Sequence, residues 1–384
     1  MIPFNKPYIA GRELEFIQQS LEGRKLSGNG TFTKKCHNWF EEKYNFNKCL
    51  LTTSCTDALE MAAMLVDIKA GDEFIVPSYT FVSTVNAFVL RGGIPVFIDS
   101  YATHPCIHAE EIEKSITTKT KVIVVVHYAG IACDMDSIMQ IAEKHNLFVI
   151  EDAAQAIDSF YEDPNGNIKR LGSIGDLSTF SFHETKNISS GEGGLLVINN
   201  KKLFDRSEII WEKGTNRSKF FRGEVDKYGW VDIGSSFLPA EIISAYLYAQ
   251  LIQLESIQRK RKELWEMYKK KLIGSKVISK HFATPIIPEY ASNNAHMFYL
   301  TANCEKERDG LISYLKENGI QATFHYQSLH KSPFFRIKYK GKRLVNSDNF
   351  SKKLLRLPLF YELTSEEIET IVKKIEQYVL TKLK

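Results

Sequence analysis

Phe180-Ser181-Phe182-His183-Glu184-Thr185-Lys186-Asn187, followed four residues later by Gly191-Glu192-Gly193-Gly194, decides the fold. The apolar run Leu177 to Phe182 has the length and aromatic content of a buried strand. It runs into a single lysine, a glycine-rich turn, and a second apolar run, Leu195 to Ile198. A lysine leaving a buried strand end loses hydration, which lowers its pKa and frees the amine as a nucleophile. Schiff-base chemistry on an aldehyde cofactor needs such an amine. Taken alone, the same residue also suits a lysine snorkelling to water.

Outward from this stretch, short apolar runs alternate with helical patterns. Phe74 to Val76, Pro95 to Ile98, Val122 to Val126 and Leu147 to Ile150 read as further buried strands. Asp136 to Asn146 carries Ile138, Ile141 and Ala142 at helical spacing. Such alternation implies an α/β fold with a parallel or mixed sheet covered on both faces. Ligands of these sheets sit beyond the carboxyl ends of the strands. The segment Tyr161 to Leu171, with Pro164-Asn165-Gly166, reads as a hairpin tip.

Near Pro239 the pattern changes. A long helix, roughly Ala240 to Leu272, precedes a strand (His296 to Thr301), a helix (Glu305 to Asn318) and a strand (Gln321 to Tyr326). A last helix starts near Ser365, where Thr364 and Glu367 match a capping box. The expected division is a large mixed-sheet domain over 1–239, then a linking helix and a smaller C-terminal α/β domain over 240–384.

The length, 384 residues, suits two or three such units. Net charge is +4, too weak to argue for nucleic acid. The run Arg259-Lys260-Arg261-Lys262 reads as the solvated face of the long helix. Six scattered cysteines without a CxxC pair indicate neither a zinc site nor a disulfide framework. The opening residues lack the apolar core of a signal peptide, and no apolar run reaches about 18 residues, so the expectation is a cytoplasmic protein with no membrane span.

Four motifs carry chemistry. Ser54-Cys55-Thr56-Asp57-Ala58-Leu59-Glu60 follows an apolar strand and opens a helix, where free N–H groups favour an anion such as phosphate. A plain N-cap from Thr56 or Asp57 would look the same, and the Asp57 carboxylate would repel phosphate, leaving its backbone N–H as the donor. Phe81, in Pro77-Ser78-Tyr79-Thr80-Phe81, lies past a strand end and suits stacking on a flat heteroaromatic ring or a place in the core. Asp152, in Val149-Ile150-Glu151-Asp152-Ala153-Ala154-Gln155, is a carboxylate directly after a buried strand. It needs a cationic partner, which a protonated pyridine nitrogen would supply, or it caps the next helix. Lys186 is the fourth. His127, His325 and His330 read as packed, satisfied histidines, and the five-residue spacing of the last two gives no metal site.

With these motifs in order along one α/β unit, the chain resembles the sugar-nucleotide aminotransferases, fold-type I enzymes that use pyridoxal 5′-phosphate (PLP). The similarity runs through Leu26 to Thr33, Pro77 to Leu90, Val126 to Gly130, Glu151 to Gln155, Phe180 to Asn187, Lys213 to Tyr228, Asn294 to Tyr299 and Arg356 to Tyr361. The resemblance implies that Lys186 forms the Schiff base and shuttles the proton, and that Asp152 pairs with the pyridine nitrogen. It places Gln155 near the ring hydroxyl and Phe81 on the ring. Thr56, the backbone at Asp57 and Ser181 would hold the phosphate. It further implies a homodimer with shared active sites. The family's Gly-Tyr-Asn-Tyr-Arg-like segment, whose asparagine reaches the partner's phosphate, stands here as Gly234-Ser235-Ser236-Phe237-Leu238, so Ser236 takes the asparagine's place and offers one hydroxyl.

The implied reaction moves an amine from L-glutamate to the 4-keto carbon of dTDP-4-keto-6-deoxyglucose, giving the galacto amino sugar of enterobacterial common antigen. Arg217 and Arg222 are candidates for the nucleotide diphosphate by charge, and His325 and Tyr326 are candidates for the substrate side. A PLP-type sugar dehydratase on this fold carries histidine in place of the lysine, and a binding protein needs no Schiff-base lysine. The intact Lys186 argues against both.

Overall fold

The computed structural model describes residues 1–382. Its first sheet comprises β1 (Cys49–Thr52), β2 (Glu73–Pro77), β3 (Ile94–Ile98), β4 (Thr120–Val126) and β5 (Phe148–Asp152). The small hairpin of β6 (Phe160–Glu162) and β7 (Ile168–Arg170) stands apart from it. The sheet is completed by β8 (Leu177–Ser181) and β9 (Gly194–Ile198), in the order β1-β9-β8-β5-β4-β2-β3. Only β9 runs against its neighbours, β1 and β8, so the other six strands end at one edge. That edge carries Thr52, Pro77, Val126, Asp152 and Ser181, and β9 begins there at Gly194.

Strand β4 shows why the sheet forms. Its valine and isoleucine run is buried on both faces, because helices cover both. Ile123 and Val125 pack with Phe180 and Tyr128 in one core. Val122 and Val124, pointing the other way, pack with Phe74, Phe88 and Ile150 in a second. Truncating Ile123 to alanine would leave a void costing about 2–5 kcal/mol.

The second sheet is antiparallel: β10 (Phe282–Ala283), β11 (Phe298–Ala302), β12 (Thr323–Phe324) and β13 (Leu354–Leu357), in the order β10-β11-β13-β12. It has its own core, in which Phe298, Leu300, Leu355 and Leu357 meet Trp265, Leu311 and Ile371 from the helices Leu254–Gly274, Glu305–Glu317 and Ser365–Lys382. The capping box at the last helix is made in both directions: Glu367 N–H donates to Thr364 Oγ1 and Thr364 N–H donates to Glu367 Oε2.

The expected helix over Ala240 to Leu272 is two helices, Glu241–Leu251 and Leu254–Gly274. The first packs on the N-terminal helices Glu13–Glu22 and Thr31–Tyr44, and the second serves the other sheet. Two partners in different directions break a pattern that contains no helix-breaking residue. Arg261 also departs from the solvated face: it is buried, and its guanidinium donates to the carbonyls of Ala295 and His296. The first residues pack into the second core, through an isolated bridge from Ile2 to Ile320, rather than trailing from the first sheet. Ile2 N–H donates to Gly319 O, Gln321 N–H donates to Ile2 O, and the Asn5 amide reaches Glu184 O.

Candidate active site

A cavity of about 580 Å³ opens where the six parallel strands end. Each wall has a local cause. The helix Cys55–Leu65 starts at this edge, capped by Ser54, whose Oγ accepts from Asp57 N–H at 3.1 Å. Ser54 is therefore the cap, where the sequence suggested Thr56 or Asp57. The backbone of β9 presses against the same turn. A Cβ on Gly194 would lie 2.3 Å from Ser54 O, so the position admits only glycine. Ser54, Cys55 and Thr56 line the cavity, with free N–H groups of a helix start close by. Asp57 does not line it; its N–H is taken by Ser54 and its carboxylate by Thr53 Oγ1.

Asp152 ends β5 and is buried. Its Oδ1 accepts from Ala154 N–H at 3.1 Å, and its Oδ2 accepts from Thr84 Oγ1 at 2.7 Å. Thr84 hydroxyl lies 2.9 Å from Thr80 hydroxyl. Since Thr84 gives its only proton to the carboxylate, Thr80 donates to Thr84, and the chain of hydroxyls points one way. Burial raises the Asp152 pKa, opposed by the Thr84 bond, the Ala154 N–H and the charge of Lys186.

Lys186 projects from the loop between β8 and β9. That loop is held by Phe182 N–H to Gly193 O, Ser190 N–H to Phe182 O and Glu184 N–H to Gly191 O, with Gly191 at φ +80°. The lysine keeps part of its surface open to the cavity, yet its surroundings are dry enough that burial pulls its ammonium below the ordinary lysine value. Cys55 and Asp152 pull the other way.

Phe81 closes the mouth, 52% exposed, while its neighbour Tyr79 is wholly buried. The core place that the sequence allowed for an aromatic of this segment goes to Tyr79, and Phe81 stays at the cavity. Gln155 is fixed at both ends: Oε1 accepts from Ala129 N–H at 2.6 Å and Nε2 donates to Tyr326 Oη at 3.0 Å. Ser181 lines the cavity beside Lys186. His127 is a packed, satisfied histidine, as expected. It is buried against Glu151 at 2.9 Å, with Nδ1 accepting from Cys133 N–H, and Glu151 takes three further N–H groups from Gly172, Ile174 and Gly175.

The second sheet supplies the opposite wall. His325 and Tyr326 follow β12, and Tyr326 holds φ +53°. His325 Nδ1 lies 2.7 Å from Tyr128 Oη, and burial, followed by the charges of Arg356 and Lys186, pushes its pKa well below the usual histidine value. His330 lies outside the cavity, bonded through Nδ1 to Ser78.

Sequence reasoning assigned no role to Thr84, His296 or Arg356. Arg356 sits in β13, where alternation sends Leu355 and Leu357 into the second core and Arg356 with Leu354 to the other face. Its Nε is buried and makes no hydrogen bond among the described residues, though its guanidinium carbon lies 4.5 Å from the Phe4 ring centroid. A half-buried guanidinium lining a cavity, with no hydrogen bond among the described residues, invites a carboxylate or phosphate. Ser236 and Arg217 are not brought to the cavity: Ser236 is exposed on a bridge to Glu212, and Arg217 Nε lies 3.7 Å from Glu212. Arg222 is held by Glu208 and Glu224.

The sequence matches the DegT/DnrJ/EryC1/StrS aminotransferase family over residues 7–376. GDP-perosamine synthase from Escherichia coli O157:H7 is 31% identical over 378 residues, 98% of each chain. The PLP-form of the putative sugar aminotransferase Spr1654 from Streptococcus pneumoniae superposes with a TM-score of 0.88 at 25% identity, over 99% of this chain and 100% of that one. Helicobacter pylori PseC, an aminotransferase involved in the biosynthesis of pseudoaminic acid, gives 0.89 at 23% identity over 99% of both chains and shares the fold.

Proposed function

The chain belongs to the DegT/DnrJ/EryC1/StrS aminotransferase family, and from that premise we propose that it moves an amino group from L-glutamate to the 4-keto carbon of dTDP-4-keto-6-deoxy-D-glucose, giving dTDP-4-amino-4,6-dideoxy-D-galactose. It is a PLP-dependent sugar aminotransferase of fold-type I; the nucleotide, the carbon and the stereochemistry are our reading. The observation that carries it is Lys186 and Asp152 lining one cavity, amine and acid, beside a helix start.

The residues present fit the cofactor. Gly194 lets backbone and helix start close into a cradle that any Cβ would fill, and Ser54, Thr56 and Ser181 offer hydroxyls for a phosphate. Asp152, buried and without an ion pair among the described residues, suits a protonated ring nitrogen, and Phe81 is free to cover one ring face. Bound PLP supplies an aldehyde that carries the amine between donor and acceptor. Lys186 Nζ, whose ammonium burial pulls below the ordinary lysine value, would be the amine that holds the aldehyde and would carry the proton at the reacting carbon. Asp152 would hold positive charge on the ring. Gln155, clamped by Ala129 and Tyr326, would be the residue near the ring hydroxyl. Arg356 takes a carboxylate of L-glutamate. A second copy of the chain would complete the site, since Ser236 is exposed and lies outside its own chain's cavity.

An absorbance spectrum tests the reading. The band of the bound aldehyde form should give way to that of the amine form on adding L-glutamate and return on adding dTDP-4-keto-6-deoxyglucose. No response to glutamate would sink it. The likeness to GDP-perosamine synthase favours one alternative, a GDP-linked keto sugar as acceptor. Recovery of the band with a GDP-linked but not the dTDP-linked sugar would select it.

A further inference from the structure

Behind Lys186 lies a buried polar cluster that the chemistry above does not use. The Asn187 amide lies 2.9 Å from the backbone carbonyl of Asn294 and 2.7 Å from Gln258 Oε1. A carbonyl only accepts, so the Asn187 atom facing it is the NH₂ group, and its other atom is the oxygen. That oxygen lies 2.8 Å from His296 Nδ1. Nδ1 must therefore carry a hydrogen, whatever tautomer the ring would choose in water. His296 is buried and lines the cavity. The cations around it are Lys186, Arg261 and Arg356; with burial, they hold its pKa well below the ordinary value. A neutral ring protonated at Nδ1 leaves Nε2 as a bare acceptor.

We propose that His296 Nε2 accepts a hydrogen bond from a sugar hydroxyl of the acceptor substrate, and that Asn187 is the positioning residue that fixes the tautomer for it. The chemistry separates the two substrates. L-Glutamate brings carboxylates, which have no proton to give a bare nitrogen, and its amine is consumed at the reacting centre. A hydroxylated sugar ring brings donors. Arg356 and His296 thus divide the wall of the second sheet: a guanidinium for the carboxylates of the donor, an imidazole lone pair for the hydroxyls of the acceptor. His325 offers no such assignment, because the partner of its ring among the described residues, Tyr128 Oη, can donate or accept.

The inference rests on the aminotransferase reading, and two experiments keep them apart. Nitrogen NMR of the cofactor-free, histidine-labelled protein, with His296→Gln for assignment, should show His296 protonated at Nδ1, bare at Nε2, and still neutral where an ordinary histidine has taken up its second proton. An Nε2–H tautomer, or ordinary titration near pH 6.5, overturns the proposal whatever the enzyme does. In steady state, His296→Ala should raise KM for dTDP-4-keto-6-deoxyglucose about tenfold and leave KM for L-glutamate within about twofold. Asn187→Ala should give a smaller change of the same kind. PLP uptake by each variant confirms that it folds, and His296→Gln replaces His296→Ala if that variant fails this check. Equal effects on both substrates, or none on the sugar, would refute it. Wild-type protein that turns over no nucleotide-linked keto sugar defeats the aminotransferase reading instead, with the tautomer still measured.

Discussion

The two sheets reach the cavity in different ways. The seven-stranded sheet delivers its groups from strand ends and from the first turn of a helix, where topology leaves little choice: Asp152 and Ser181 end parallel strands, and Lys186 follows the second of these. The four-stranded sheet delivers His296, His325, Tyr326 and Arg356 from the approach to one strand, the loop after another and the face of a third. On the proposed function, the first set would serve a generic chemical step and the second set would meet the substrates, where groups can change without disturbing the chemistry.

If that division holds, the first sheet governs kcat and the second KM. Lys186→Ala should show the largest effect, a loss of roughly a thousandfold or more in kcat, with the absorbance band of the covalently held cofactor gone. Asp152→Asn should cost kcat about a hundredfold or more. Retention of either activity would dissolve the comparison. Thr84→Val, which strips the hydroxyl from Asp152 Oδ2, should cost about tenfold in kcat, with Thr84→Ser largely restoring it.

Across the cavity, Arg356→Ala should raise KM for L-glutamate by about 10- to 100-fold with a smaller change in kcat. A kcat loss as large as that of Asp152→Asn would move Arg356 to the chemical side.

The same wall predicts a dependence of stability on pH. Burial lowers the pKa of His296 and His325, so the folded state binds fewer protons than the unfolded chain just below the ordinary histidine value. Stability is then complete above about pH 6.5 and falls as pH drops below it, by up to about 1.4 kcal/mol per pH unit for each ring. Urea unfolding of the cofactor-free protein between pH 7 and pH 5 measures this, and a flat profile would show the rings to be open to water. The smallest effect belongs to Thr364→Ala. Losing one side of the capping box should cost about 1 kcal/mol of stability while both substrates keep their KM values.

Legibility in the sequence follows the same line. The strands of the first sheet are continuous apolar runs, and Asp152 and Lys186 come directly after them, so position along the chain nearly equals position in space. The second wall lacks that property. His296 acquires its meaning from Asn187, 109 residues away. Thr84 meets Asp152 across 68 residues. Arg356 faces the cavity only because β13 alternates. The break between Leu251 and Leu254 has no local mark either, since the two helices part to serve different cores. Ser54 as the cap, by contrast, was within reach: a serine before a helical run is an ordinary N-terminus signal.

The pairing of Ile2 with Gly319 and Gln321, and the bond from Asn5 to the carbonyl of Glu184, carry a practical consequence. The opening residues stitch the second sheet to the loop that presents Lys186. An affinity tag spliced ahead of Met1 would therefore hang from a structural seam, and residue left after proteolytic tag removal would stay beside it. Kinetic comparisons of variants are best made on protein whose first six residues are native.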